Sequence, residues 1–92
     1  MMDFEWDTAK ADANEAKHGV PFEVARRVFD DHAYVVLEDA RQDYGEERFV
    51  ALGMIDGRIY MVAFTWRGGT CRLISARKAN AREIRRYRQI ET

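Results

Sequence analysis

The sequence predicts an α+β domain in which a four-stranded antiparallel sheet follows two N-terminal helices and precedes a C-terminal one. Three observations predict it. Apolar residues recur at helical spacing before residue 30, β-rich runs broken by glycine turns fill residues 33–77, and a helical pattern returns after Asn80. Consecutive strands flanked by helices make an antiparallel meander with the helices gathered against it. The 92 residues are read as a single domain, 1–92, with a modest core.

In chain order, Phe4-Glu5-Trp6 is a short apolar lead-in. Asp7 is placed to cap the first helix, along which Ala9, Ala13 and Ala16 form a small-residue stripe expected to face a close neighbour. Gly19 suits a left-handed stop, and Pro21 restarts the chain in a geometry fit for a first helical turn. The second helix is expected over Phe22 to Phe29, with Phe22, Ala25, Val28 and Phe29 on one face, ending at Asp30-Asp31-His32. Both helices are too short to persist without the sheet.

Ala33 to Leu37 reads as the first strand, and the polar stretch Glu38 to Glu46 as a loop. Strands follow at Arg48 to Ile55, Arg58 to Arg67 and Cys71 to Arg77, joined by tight turns at Asp56-Gly57 and Gly68-Gly69. Asn80 caps the last helix, Ala81 to about Ile90.

A net charge of −1 conceals an asymmetry: residues 1–46 carry −7 and residues 47–92 carry +6. Such a chain either presents a basic face to a polyanion or neutralises itself across the fold. The lone Cys71 excludes an internal disulfide framework and reads as a small strand residue, compatible with a reducing cytosol. No apolar run reaches membrane-spanning length, and the first residues lack a signal-peptide pattern, so a cytoplasmic protein is expected.

The hairpins allow a geometric deduction. With two-residue turns, Ile55 faces Arg58 and Arg48 lies opposite Thr65, while Arg67 faces Thr70 and Thr65 faces Arg72. Arg48, Arg67 and Arg72 then converge on one face near Gly68-Gly69, and Arg77 falls on the other parity but sits where the strand gives way to the helix and can turn to either face. Clustered arginines repel unless an anion sits between them, and a phosphate matches their planar forks. The competing reading pairs them with Glu46, Glu47, Glu83 or the acidic N-terminal helices.

Tyr60, Trp66 and Tyr87 are either base-stacking platforms or core residues. Lys17-His18-Gly19 either places cations at a helix C-terminus or delivers a proton-transfer group to the same surface. His32 reads as a solvent-exposed loop residue. No His/Cys/Asp spacing suits a metal, no glycine-rich nucleotide loop joins a strand to a helix, and no cofactor is expected. Metal-free chemistry on a phosphodiester fits this inventory best.

Phe4-Glu5-Trp6-Asp7, Lys10, Asn14, Lys17-His18-Gly19-Val20, Phe22 to Asp31, Glu47-Arg48-Phe49 with Gly53, Thr65-Trp66-Arg67, Arg72 to Ala79, and Arg82-Glu83 with Tyr87 together resemble the BrnT family of small bacterial toxins. The resemblance spans nearly the whole chain. It implies a RelE-like fold and a metal-independent endoribonuclease of a type II toxin–antitoxin pair, in which the ribose 2′-hydroxyl attacks the adjacent phosphate. It also implies a BrnA-like antitoxin that binds the toxin in a hetero-oligomer and binds operator DNA. By position Arg48, Arg67, Arg72 and Arg77 fall on the family's recurring arginines and Lys17-His18 on its recurring basic pair; catalytic roles are expected for Arg48, Arg67, Arg77, His18 and Lys17, and RNA contacts for Arg72, Tyr87 and Lys10. Ile84 stands where relatives carry another arginine, which weakens the expected cationic surface of the last helix. The alternative is a non-catalytic module that binds RNA or a protein partner.

Overall fold

A five-stranded sheet in the order β1-β5-β4-β3-β2 organises the chain. The strands are β1 (Phe4–Glu5), β2 (Val35–Glu38), β3 (Phe49–Ile55), β4 (Arg58–Arg67) and β5 (Thr70–Lys78). Helix α1 is Thr8–His18, α2 is Phe22–Ala25, and α3 is Ala81–Glu91; a 3₁₀ turn, Arg26–Asp30, continues α2. This computed structural model describes residues 2–39 and 45–91, so most of the expected loop at 38–46 lies outside the described residues.

The expected four-stranded antiparallel sheet is corrected to a five-stranded mixed one. β1 runs parallel to β5, with Phe4 beside Cys71 and Glu5 beside Arg72, and the Cys71 N–H donates to the Asp3 carbonyl at 2.9 Å. Two residues carry no alternation, so this strand is recruited by its partner and not declared by pattern. Both tight turns form as expected, with positive φ at Asp56 and Gly57 and at Gly68 and Gly69, the backbone that matches strand twist.

Asp7 caps α1 by accepting the Lys10 N–H at 3.0 Å, and Gly19 ends it at φ 72°. The face that α1 buries differs from expectation. Ala9, Ala13 and Ala16 are exposed, whereas Asn14 is 7% exposed and faces the sheet. Its Nδ2 donates to the carbonyls of Ala76 (2.9 Å) and Val20 (3.2 Å), and its Oδ1 accepts the Ala76 N–H at 3.0 Å. β1 covers β5 only at Cys71 and Arg72, so the outward peptide groups of Ala76 would otherwise be orphaned. The Asn14 amide stands in for the missing strand.

The second helix is shorter than expected because the chain tightens into the 3₁₀ turn after Ala25. That turn lays Val28 directly on β3 at Gly53, where a Cβ would come within 2.6 Å of Val28 Cγ1 and 2.7 Å of its carbonyl oxygen. Asp31 closes the segment, accepting the Ala33 N–H at 2.9 Å and the Met54 N–H at 2.8 Å.

Both sheet faces are buried against helices. On one, Val20, Phe22, Ala25 and Val28 pack on Ala51, Val62, Phe64 and Leu73. On the other, Tyr87 of α3 packs with Leu52, Ile59, Met61 and Ala63. The Tyr87 hydroxyl donates to Asp31 Oδ2 at 2.5 Å, tying α3 to the far end of the 3₁₀ turn. Burial raises the Asp31 pKa, but the Tyr87 hydroxyl and then the Ala33 and Met54 amides outweigh it and hold the carboxyl below its ordinary value.

Candidate functional site

The site is built by strand register. β3 and β4 pair from Ile55↔Arg58 to Phe49↔Phe64, so Arg48, one residue before β3, comes next to Thr65. Thr65 anchors that corner by donating its hydroxyl to the Glu47 carbonyl at 2.6 Å. β4 and β5 pair with Arg67 opposite Thr70 and Thr65 opposite Arg72, which places Arg67 and Arg72 on the Thr65 side of the sheet.

Arg77 joins them through an irregularity. Phe64 pairs with Leu73 but Ala63 pairs with Ser75, so Ile74 is an extra residue in β5. A bulge of one residue resets the alternation. Arg77 therefore lies opposite Met61, on the same face as Thr65 and not on the opposite parity. Uninterrupted alternation, as assumed from sequence, assigns it to the wrong side.

The arginines are also not left to repel one another. Arg67 meets Glu46 at 3.5 Å, Arg72 meets Glu5 at 2.5 Å, and Arg77 makes a bidentate pair with Glu83 at 2.7 and 2.9 Å. Glu46 and Glu5 belong to the acidic half and Glu83 to the basic one, so two of these three pairs join the halves across the fold. Glu83 serves twice: it accepts the Asn80 N–H at 2.9 Å while Asn80 Oδ1 accepts the Glu83 N–H at 2.8 Å, a reciprocal cap that starts α3. Arg48 is half-buried, with its Nε shielded from solvent.

The basic residues of α1 meet this face at the bulge. Lys10, Lys17 and His18 line a concavity of about 250 Å³ with Asn14, Ile74 and Ser75. Positions 10, 14, 17 and 18 share one side of a helix, and Asn14 clips that side to Ala76, the residue between Ser75 and Arg77. A second groove of about 280 Å³ runs between the sheet and the start of α3, lined by Leu37, Val50 and Met61 with Arg77, Arg82 and Glu83. A larger concavity of about 410 Å³ beside Asp31, His32 and Asp56 contains none of the expected site residues.

The aromatics divide. Tyr87 is 1% exposed, so its ring is a core element, as the packing alternative of the sequence reading has it. Trp66 is 48% exposed and meets Phe64 edge-on at 5.7 Å, while Tyr60 is half-buried against the helix-side core. Cys71 is fully buried, and burial pushes its thiol up to about 12, which leaves no nucleophile there. Sequence reasoning gave Asn14 no role beyond its place in the family pattern; its signal was a polar residue at helical spacing with Lys10, Lys17 and His18. It also missed Ser75, which only the bulge brings to the concavity.

Among the described residues no helix is long and apolar enough to cross a membrane, and no three His, Cys, Asp or Glu side chains gather as metal ligands. No curated protein matches the chain. Residues 6–83 match the family described as "Ribonuclease toxin, BrnT, of type II toxin-antitoxin system", a stretch that includes Lys10, Lys17, His18, Arg48, Arg67, Arg72 and Arg77. The chain, with its arginines aligned by a bulge and its helical basic residues clipped beside them, thus belongs to the BrnT family of ribonuclease toxins of type II toxin–antitoxin systems.

Proposed function

We propose that the protein cuts RNA without a metal ion by turning the ribose 2′-hydroxyl on the adjacent phosphate. The new bond joins the 2′-oxygen to phosphorus, the bond to the 5′-oxygen breaks, and the products are a 2′,3′-cyclic phosphate and a 5′-hydroxyl. His18 or Lys17 takes the 2′-hydroxyl proton or returns one to the leaving oxygen. Arg48, Arg67 and Arg77 hold the phosphate as charge accumulates on it, and Arg72 with Lys10 holds the neighbouring backbone. The observation that carries this reading is the bulge at Ile74, which brings Arg77 to the face of Arg67 and Arg72 beside the α1 concavity.

The carboxylate pairs are compatible with it. A guanidinium offers five N–H donors, and one carboxylate engages at most two of them, so a phosphate finds donors remaining. The family implies an antitoxin partner and an RNA substrate; a BrnA-like, DNA-binding antitoxin that neutralises the toxin in the cytoplasm is the partner proposed here. The test is cleavage of mixed-sequence RNA by purified protein in EDTA, beside Arg67→Ala. Fragments ending in 2′,3′-cyclic phosphate, reduced roughly 10²-fold in the variant, are expected. RNA binding without cleavage, with or without ribosomes, would instead favour a non-catalytic RNA-binding module.

A further inference from the structure

Three arginines of the sheet, Arg67, Arg72 and Arg77, are held by carboxylates, whereas the four of α3, like the exposed Arg26 and Arg58 elsewhere, are not. The side chains of Arg82, Arg85, Arg86 and Arg88 are all exposed, and among the described residues none of them makes an ion pair or a side-chain hydrogen bond. Arg27, Arg67, Arg72 and Arg77, by contrast, each have one. Glu83, the acidic residue in the first turn of α3, is already engaged by Arg77 and the Asn80 amide.

The distribution around the helix is one-sided. At about 100° per residue, Glu83, Ile84 and Tyr87 define the side turned to the protein, and Arg82, Arg85, Arg86 and Arg88 spread across the opposite side. They span about 9 Å along the axis. Arg82 and Arg85, Arg82 and Arg86, and Arg85 and Arg88 are like charges at three- and four-residue spacing, which weakens a helix standing alone in water. A polyanion along this face relieves that repulsion. Arg82 also lines the groove shared with Arg77, so the row begins beside the proposed cleavage site. Arg85, Arg86 and Arg88 lie beyond the stretch that matches the family.

From these observations we infer that the outward face of α3 is a track for the RNA sugar–phosphate backbone, holding nucleotides that extend from the cleavage site past Arg82. The inference rests on the ribonuclease reading for its substrate. A net charge of −1 gives the whole molecule no long-range attraction for RNA, so binding must come from a local patch. Guanidiniums spaced along a helix contact phosphates without reading bases, so the track serves affinity and not sequence preference.

The test measures binding of a mixed-sequence 2′-O-methyl oligoribonucleotide, which lacks the attacking hydroxyl, across a salt series. Arg85→Gln/Arg86→Gln is compared with Arg26→Gln/Arg58→Gln, which removes the same charge from exposed positions elsewhere. Glutamine keeps helix propensity, and circular dichroism checks that α3 persists. The α3 pair is expected to weaken binding about tenfold or more and to lower the salt slope by about 1.4, at roughly 0.7 per single-strand phosphate contact. The control pair is expected to change neither. Equal losses in both pairs, or no loss in the α3 pair, overturn the track. RNA binding unchanged but antitoxin binding lost in the α3 pair overturns it in favour of a protein-docking face. Cleavage by wild-type protein in EDTA reports separately on the ribonuclease reading, so either proposal can fail alone.

Discussion

Replacing Asn14 with leucine removes an amide that no neighbouring group can replace. Leucine keeps the branching but its methyls are bulkier than the amide oxygen and nitrogen, so crowding adds to the loss of three hydrogen bonds: to Ala76 O at 2.9 Å, from Ala76 N at 3.0 Å and to Val20 O at 3.2 Å. The Ala76 N–H and C=O lose their partners inside a site that is 7% exposed at Asn14 itself. Each buried group left unsatisfied costs about 1–3 kcal/mol, and the added apolar surface returns a fraction, so a net loss of about 3 kcal/mol is expected. For a domain this size that is a fall in Tm of about 15 °C. Urea titration followed by far-ultraviolet circular dichroism measures it directly. Asn14→Asp provides the electrostatic counterpart: its carboxylate would face two carbonyl oxygens, so the penalty should exceed that of leucine at neutral pH. It should shrink on acidification towards the ordinary aspartate range, as the acid form regains a donor. A leucine variant within about 1 kcal/mol of wild type would refute the argument that this amide closes the β5 edge.

Other expectations follow from single contacts. Gly53→Ala should destabilise the fold by about 2 kcal/mol or more, because its Cβ would meet Val28 backbone as well as side chain; the urea midpoint reads this. Tyr87→Phe should cost about 1–2 kcal/mol at neutral pH by removing a bond to a charged acceptor. Because the Asp31 carboxyl is held below its ordinary value of 3.8, its contribution is present above that pH and lost as pH falls below it. The gap between Tyr87→Phe and wild type should therefore close in acid, and a gap independent of pH would contradict the assignment. Arg77→Lys keeps charge but not the two-point geometry with Glu83, so cleavage in EDTA should recover only part of the loss seen in Arg77→Ala. Cys71, buried and pushed up to about 12, should react with a thiol reagent only as fast as the protein opens; rapid labelling of folded protein would contradict its burial.

The α+β class, the helix caps at Asp7 and Asn80, the left-handed stop at Gly19 and both tight turns were determined by the sequence, because each depends on residues within a few positions of one another. The arginines and the Lys-His pair were legible for the same reason, as residue types at short spacing. The tertiary structure decided what those residues face. β1 is a strand only because β5 lies beside it, and Arg77 shares a face with Arg67 only because Ile74 is extruded from the ladder. Neither event leaves a periodic trace, since a two-residue strand has no period and a bulge breaks one. Asn14 and the Ala stripe show the same limit: alanine spacing suggested the packed side of α1, but the orphaned peptide at Ala76 selected the side that carried an amide. Of the carboxylates that meet Arg67, Arg72 and Arg77, Glu46 and Glu83 were among the partners named from sequence, whereas Glu5 was not, because it reaches Arg72 only through the β1–β5 pairing. Pairing across such distances in sequence is a property of the closed fold, because it depends on which segments the buried core brings side by side.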